Sequence, residues 1–311
     1  MDSEFDLIVI GGGAAGLAAA QYGARANLKT LLVEELAAGG QALLIDALEN
    51  YPGVMGPVNG YDFSEIMRKQ AEAFGTVFLT ATVSSLRKEG GLFSLDTSEG
   101  ALTAKTAILA TGAKHRHAGV PGEDEFAGRG VSYCATCDGP FFKGKPMMVV
   151  GGGDAACDEA AFLAKLSDRI VVVHRKDRFR AQASLAARTL GNPNIEVRFG
   201  TLIKEIKGAK KVQSVVLEKA DGGGVYEEPF DAVFVFVGSI PQSSLAADAK
   251  KDEAGYLLTD ERMATSQGGL FAAGDVRASN FRQLITAASD GAIAAHSASQ
   301  YIDEMKGEAY A

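Results

Sequence analysis

Cysteine is scarce in this chain. Only Cys134, Cys137 and Cys157 occur in 311 residues, with four scattered histidines. So few cysteines cannot build the disulfide framework of a secreted domain, which points to a reducing cytoplasm. The histidines supply no second ligand pair at zinc spacing, so no metal is expected. Long apolar runs are missing too. "LIVI" at 7–10 stops at glycines after four residues, and Met1-Asp2-Ser3-Glu4 carries no positive charge at the very start. That reads as a buried strand, with no signal peptide or membrane span. A surplus of basic charge is also lacking. The 31 Lys and Arg against 39 Asp and Glu leave a net charge of -8, which argues against a nucleic-acid or anionic-membrane surface. What remains, 47% hydrophobic and 23% charged, is an ordinary globular composition long enough for about two domains.

Glycine, by contrast, is abundant and placed. "DLIVIGGGAAGLAAAQYGARANLKTLLVEE" reads as strand, tight turn, helix, strand, with G-x-G-x-x-G at Gly11, Gly13 and Gly16. In that setting Gly11 permits the turn, Gly13 lets a pyrophosphate approach the backbone and Gly16 lets helix and strand pack closely. The N-terminus of the helix offers free N–H groups to the phosphates. The device recurs at "PMMVVGGGDAACDEAAFLAKLSDRIVVVHRKDRFRA", with Gly151, Gly153 and Ala156 in the glycine positions.

The two copies differ at the end of the second strand. Glu34 stands 23 positions after Gly11, where an acid can accept hydrogen bonds from ribose hydroxyls. His174 stands 23 positions after Gly151 and is followed by Arg175, Lys176 and Arg180. An acid there would repel a 2′-phosphate, whereas these cations would bind one. The first copy therefore suits FAD or NAD and the second NADPH. A charge run at a strand end is more often a solvated face, but here it falls where a phosphate is expected.

The fold class expected is α/β, with two Rossmann-like, three-layer ββα nucleotide-binding domains, the second inserted into the first. "GGLFAAGDVRASNFRQLITAASDGAIAAHSASQYI" reads as strand, Gly-Asp turn and long helix without a fingerprint of its own, so it needs a partner sheet. The simplest topology returns it to the first block. Residues 1–114 and 244–311 then form one domain and 115–243 the insertion. An amphipathic helix is expected near 62–74, and "KADGGGVYEE" at 219–228 looks like a hairpin tip.

Within the insertion, "YCATCDG" sets Cys134 and Cys137 three positions apart. In a helical first turn such positions lie about 5–6 Å apart, near the roughly 4.4–6.8 Å Cα separation a disulfide tolerates. The pair can open and close without large backbone movement, and in a reducing compartment C-x-x-C is more often catalytic than structural. Cys157 reads as a small packed residue.

Paired fingerprints, C-A-T-C-D at 134–138 and G-D at 274–275, in this order, resemble low-molecular-weight thioredoxin reductase over nearly the whole chain. The resemblance implies FAD on the first fingerprint (Gly11, Gly13, Ala14, Ala15, Gly16) and the acidic strand end (Glu34, Glu35). It adds Gly39, Gly40 and Gln41, Asn50 of E-N-Y-P-G, Val83, and Ala110, Thr111 and Gly112. Gly274 with Asp275 and Arg282 with Gln283 and Leu284 complete that set. NADPH would be held by Gly153, Asp154, Ala155, Ala156, His174, Arg175, Lys176, Arg180 and Gly238. Lys176 departs from the family's arginine and lacks its planar fork.

The same resemblance assigns Cys137 to the flavin side and Cys134 to attack on thioredoxin, in a homodimer whose inserted domain rotates between two poses. Asp138 is the candidate acid/base, with a helix cap or turn aspartate as the equal alternative. Arg129, Phe141 and Phe142 flank the pair as a candidate partner surface, Phe142 equally as packing. Two other readings stay open. One is a dithiol oxidase or ferredoxin-fed relative that does not use NADPH, against which the basic cluster speaks. The other is a non-catalytic flavin or nucleotide sensor.

Overall fold

The structure is a computed structural model describing residues 3–45, 48, 50–219 and 222–308. Glu49 of the E-N-Y-P-G turn, and Ala220 and Asp221 of the tip at 219–228, lie outside the described residues. The chain divides into two compact units, Met1–Lys114 with Ile240–Ala311, and His115–Ser239.

The first unit begins β1 (Glu4–Ile10), α1 (Ala14–Arg25), β2 (Thr30–Glu34), α2 (Gly60–Ala73), β3 (Val77–Thr80), β4 (Val83–Glu89), β5 (Leu92–Thr97), β6 (Gly100–Leu109). β7 (Ala113–His115) leads out. The second unit holds β8 (Val131–Ser132), α3 (Ala135–Asp138), β9 (Met147–Gly151), α4 (Asp154–Leu163), β10 (Ile170–His174), α5 (Ala183–Leu190) and β11 (Ile195–Phe199). It continues through β12 (Thr201–Gly208), β13 (Val212–Lys219), β14 (Val225–Pro229) and β15 (Ala232–Phe236). β16 (Ser239–Pro241) leads back, and β17 (Leu270–Ala272) and α6 (Leu284–Lys306) complete the first unit.

In the first unit the parallel order β3-β2-β1-β6 is extended by β17, while β5 and β4 pair antiparallel. β6 does both. Its start, Gly100–Ala104, pairs with β5 and its end, Ala107–Leu109, with β17. Covered on both faces, β1 reads as an unbroken apolar run. Its side chains alternate: Leu7 and Val9 join Leu17, Ile108 and Phe271 on one face, Ile8 and Ile10 join Phe93, Leu95 and Leu109 on the other. Each such side chain contributes roughly 1.5–3 kcal/mol by leaving water. The result is helices, parallel sheet and β-meander in three layers.

α2 starts at Gly60, two residues before the expected 62, because Asn59 caps it through its side chain to the Asp62 N–H at 2.8 Å. α1 and α6 touch backbone to side-chain-free backbone, since a Cβ on Gly291 would lie 2.0 Å from the Ala15 carbonyl oxygen.

The second unit repeats the plan with a parallel sheet β11-β10-β9-β15-β8 and an antiparallel layer β12-β13-β14. Met148, Val150, Val171 and Val173 face the antiparallel layer, and Met147, Val149, Ile170 and Val172 face α4. Among the described residues no helix is long and apolar enough to cross a membrane, and no cluster of three or more His, Cys, Asp and Glu could hold a metal.

Candidate nucleotide cradles and dithiol

The two glycine turns share a geometry as well as a pattern. Gly13, N-cap of α1, is extended at φ -70° and ψ -177°, and Gly153, N-cap of α4, at φ -99° and ψ -176°. Neither cap spends a side chain on the helix's first N–H groups, so those donors stay available. A Cβ at Gly13 or Gly153 would meet nothing within 4 Å. The other glycines are filled by the protein itself. A Cβ on Gly11 would strike the Ala110 carbonyl oxygen at 2.4 Å, on Gly16 the Gly11 oxygen at 1.8 Å, and on Gly151 the Phe236 oxygen at 2.4 Å. Both turns thus hold an open notch where a pyrophosphate would approach.

Around the first notch the expected residues converge. Glu34 accepts from the Gly12 N–H at 2.6 Å and the Leu36 N–H at 3.0 Å, so it braces the turn itself. Glu35 is exposed. The Gly39 N–H donates to the Gly12 carbonyl at 2.7 Å, Gln41 reaches the Ala113 carbonyl at 2.6 Å, and Gly40 bends with φ +56°. Ala110 follows β6 with its N–H on the Ile10 carbonyl, Thr111 exchanges hydrogen bonds with Gln242, and Gly112 turns at φ +65°. Asn50 donates to Gln283 at 3.0 Å, and Gln283 caps α6, which begins at Leu284. Ala14 and Ala15 are buried in the first turn of α1, and Gly274 lies against Ala15. Val83 opens β4, two residues past Ala81, whose N–H holds the Glu34 carbonyl at 3.0 Å.

Asp275 lies among buried groups. Its carboxyl is pushed up by burial and by Asp290, against the opposing pull of Arg282. Arg282 stacks on the Tyr256 ring, 4.2 Å from its centroid.

At the second notch, Asp154 turns sideways to accept from the Gln182 N–H and side-chain amide, both at 2.8 Å. Ala155 is exposed and Ala156 buried. His174 lies flush against Gly152, whose Cβ would fall 2.4 Å from Nδ1. Burial, then the charges of Arg180 and Arg175, hold its pKa below the usual range. Arg175, Lys176 and Arg180 are exposed and make no ion pair among the described residues. Gly238 turns at φ +121° with open space at its Cβ position.

Three buried side-chain polar atoms have no hydrogen-bond partner among the described residues: His174 Nε2, Arg282 Nε and Glu159 Oε2. Buried polar groups are normally satisfied. Two of the three belong to residues expected to hold nucleotides, which fits ligands completing both cradles.

Cys134 and Cys137 form a disulfide with a Cα separation of 5.4 Å. Cys134 is the N-cap of α3, and its Sγ accepts from the Cys137 N–H at 3.1 Å and lies 3.3 Å from the Thr136 hydroxyl. Cys137 is exposed and Cys134 half-buried. The entering segment is anchored by Glu123, a buried carboxylate that accepts from the Tyr133 hydroxyl at 2.9 Å and from the Ala118 and Gly119 N–H groups. Asp138 makes no side-chain cap to the turn that follows it. Phe141 is 82% exposed, whereas Phe142 packs edge-on against Phe234. Arg129 donates to the Glu125 carbonyl.

A family model for pyridine nucleotide-disulphide oxidoreductases matches residues 5–291. The chain belongs to that family, among the thioredoxin reductases. It is 54% identical over 306 residues to a thioredoxin reductase of Treponema pallidum, covering 98% of this chain and all of that protein. Among solved structures it is similar to the thioredoxin reductase of Lactococcus lactis, with TM-score 0.93 and 39% identity over 96% of this chain and 99% of that one. The enzyme of T. acidophilum gives 0.92 and 33%, over 98% and 100%. The family implies a flavin, a nicotinamide nucleotide and thioredoxin as substrate, and the Cys134–Cys137 pair is compatible with a redox-active disulfide.

Sequence reasoning missed Gln242, Asp290, Glu123 and Glu159. For Glu159 a signal existed: an acid inside an alanine-rich helix, at a position facing inward. Gln242 meets Thr111 131 positions away and Asp290 meets Gly274 and Arg277 16 and 13 positions away, whereas Glu123 serves Ala118, Gly119 and Tyr133 within ten positions but in no recognised motif.

Proposed function

We propose that the flavin is FAD on the first cradle, that the nicotinamide nucleotide is NADPH on the second, and that electrons leave through Cys134 and Cys137 to thioredoxin. The observation that carries this is the pair of open glycine notches, only the second of which is followed by exposed cations without an ion pair among the described residues. FAD accepts a hydride and hands on an electron pair, which lets a nicotinamide reduce a disulfide. The protein's own groups do the rest. Gly13, Gly39, Gly40, Ala110 to Gly112, Gly274 and Asp275 would enclose FAD, with Asn50, Gln41, Val83, Arg282 and Gln283 at its edges. Arg175, Lys176 and Arg180 would clamp a 2′-phosphate beside His174.

Cys134 would attack the partner disulfide, supported by two donors at its sulfur, which favour a thiolate. Cys137 would face the flavin, and Asp138 would carry the proton to and from the pair. Dithiol and NADPH cradle both belong to His115–Ser239, while the FAD cradle belongs to the other unit. One flavin cannot meet both at once, so the inserted unit is proposed to rotate between two poses. We further assign the enzyme to the cytoplasm, without nucleic-acid or membrane partners, as a homodimer covering the exposed Tyr22, Ile66 and Phe74.

The test is donor choice. Replacing Arg175 and Arg180 by alanine removes charge-assisted contacts of about 1.5–3 kcal/mol each. The KM for NADPH should rise more than tenfold while that for NADH changes little. Equal effects on both would refute the 2′-phosphate assignment, and no reduction of the yellow protein by either nucleotide would favour the ferredoxin-fed reading.

A further inference from the structure

Behind the dithiol lies a carboxyl that none of the steps above uses. Glu159 sits on the face of α4 that packs against α3, where the chains are so close that a Cβ on Gly139 would lie 2.7 Å from Leu163. One carboxylate oxygen is turned toward the backbone N–H of Ala135, the residue directly after Cys134, and that amide favours its charged form. Ala135 is fully buried. The other oxygen, Oε2, is sealed from solvent with no hydrogen-bond partner among the described residues.

We propose that Glu159 is a positioning residue for the redox pair: it pins the first amide of α3 and, by being neutral or charged, sets how readily Cys134 ionises. An unpartnered buried oxygen disfavours the charged form. Burial, then the neighbouring Asp158, push the carboxyl up to about 7. Other titratable groups on the packed elements are Asp138 and, once reduced, Cys137 on α3, Arg188 on α5, His174 on β10, and Asp154 and the buried Cys157 on α4, while β9 and β15 carry none. Arg188 is engaged with Asp158, so it does not neutralise Glu159 directly.

A carboxylate held on the amide that follows Cys134 lies within roughly 7 Å of its sulfur. At an effective dielectric of about 20, one charge at that range shifts a thiol by between one and two pKa units. Reduction of the disulfide by two electrons and one proton leaves one thiol and one thiolate. Neutral Glu159 lets that thiolate form, and ionised Glu159 opposes it.

The proposal rests on the dithiol reading above, and its test reads thiol ionisation rather than turnover. The flavin-loaded enzyme is reduced with dithiothreitol, desalted anaerobically, and alkylated with iodoacetamide across pH 5–9 (chosen to span about two units either side of neutrality), with the labelled cysteine mapped. Wild type should show two inflections for Cys134, one from the thiol and one near neutrality from Glu159. Glu159→Gln should show one, displaced to lower pH, with alkylation about tenfold faster at a pH just below it, and Glu159→Asp should restore two. Identical profiles in wild type and Glu159→Gln overturn the proposal. Where the Gln variant does not fold, a single inflection in wild type overturns it. If instead Cys134→Ser left thioredoxin reduction intact, the dithiol reading would fail while this profile stood unaffected.

Discussion

Adding one methyl group at each of three glycines separates binding from folding. Gly13 is extended, in a conformation alanine adopts freely, and its Cβ would meet nothing within 4 Å. Gly13→Ala should therefore leave the flavin-free protein intact, or stabilise it by about 0.4–1 kcal/mol through the unfolded chain. The methyl occupies the notch, however, and pushes a phosphate off the N–H groups of α1. Loss of one charge-assisted hydrogen bond, about 1.5–3 kcal/mol, weakens flavin binding roughly ten- to 150-fold. Gly16→Ala does the reverse. Its methyl would lie 1.8 Å from the Gly11 carbonyl oxygen, which cannot retreat because the Gly11 N–H is tied to Val33 at 2.9 Å. That clash should cost at least the upper end of the usual 1–3 kcal/mol of overpacking. Urea unfolding of the flavin-free proteins and flavin titration by fluorescence quenching measure the two effects. Gly13→Ala that binds flavin like wild type, or that unfolds as early as Gly16→Ala, would refute the reasoning.

Gly153→Ala, with the same open geometry, should raise the KM for NADPH while flavin content stays at wild-type level; loss of flavin would contradict the assignment of the second notch. Cys134→Ser should keep the flavin reducible by NADPH but abolish thioredoxin reduction in a steady-state assay, and retained turnover would remove the pair from the route. Asp290 holds the Gly274 N–H and a 3.0 Å ion pair with Arg277, both side chains largely buried, so Asp290→Ala should destabilise by about 3–5 kcal/mol in urea, against near-zero if the pair were solvated. Glu159 binds its proton more tightly folded, at about 7 against 4.5. Its contribution to stability is therefore full below about pH 4.5 and declines by on the order of 3 kcal/mol as pH rises through 7. Glu159→Gln should abolish that part of the slope between pH 5 and 8, and an unchanged slope would disprove it.

The glycine turns, the strand before each and the helix after it were legible because their geometry is local. Gly16 answers the Gly11 oxygen within one βαβ unit and Gly13 opens onto free space, although Gly11 answers Ala110 from the end of β6. The start of α2 was misjudged by two residues because a cap at Asn59 outweighs the apolar periodicity that begins at Phe63. β12-β13-β14 left only a tip at 219–228 in the sequence, since its pairings join short alternating segments whose partners no spacing announces. The chain returns to its first unit between Ser239 and Ile240, where Gly238 and Pro241 are the only punctuation. Cys134, Cys137 and Asp138 were visible as a motif. Glu159 left only the hint of an acid inside an alanine-rich helix, because its role comes from packing α4 on α3.

The joint between α1 and α6 bears on synthesis. Gly291 presses on Ala15, and β17 pairs with the end of β6, so the first unit is finished only by residues after 240. The inserted unit is continuous and can fold as soon as it leaves the ribosome, since domains tend to fold as they emerge. Its host must wait, half-sheeted, with β6 an open edge, until the last helix is made. The part of the proposed flavin cradle drawn from Gly274 to Gln283 is therefore among the last to be made.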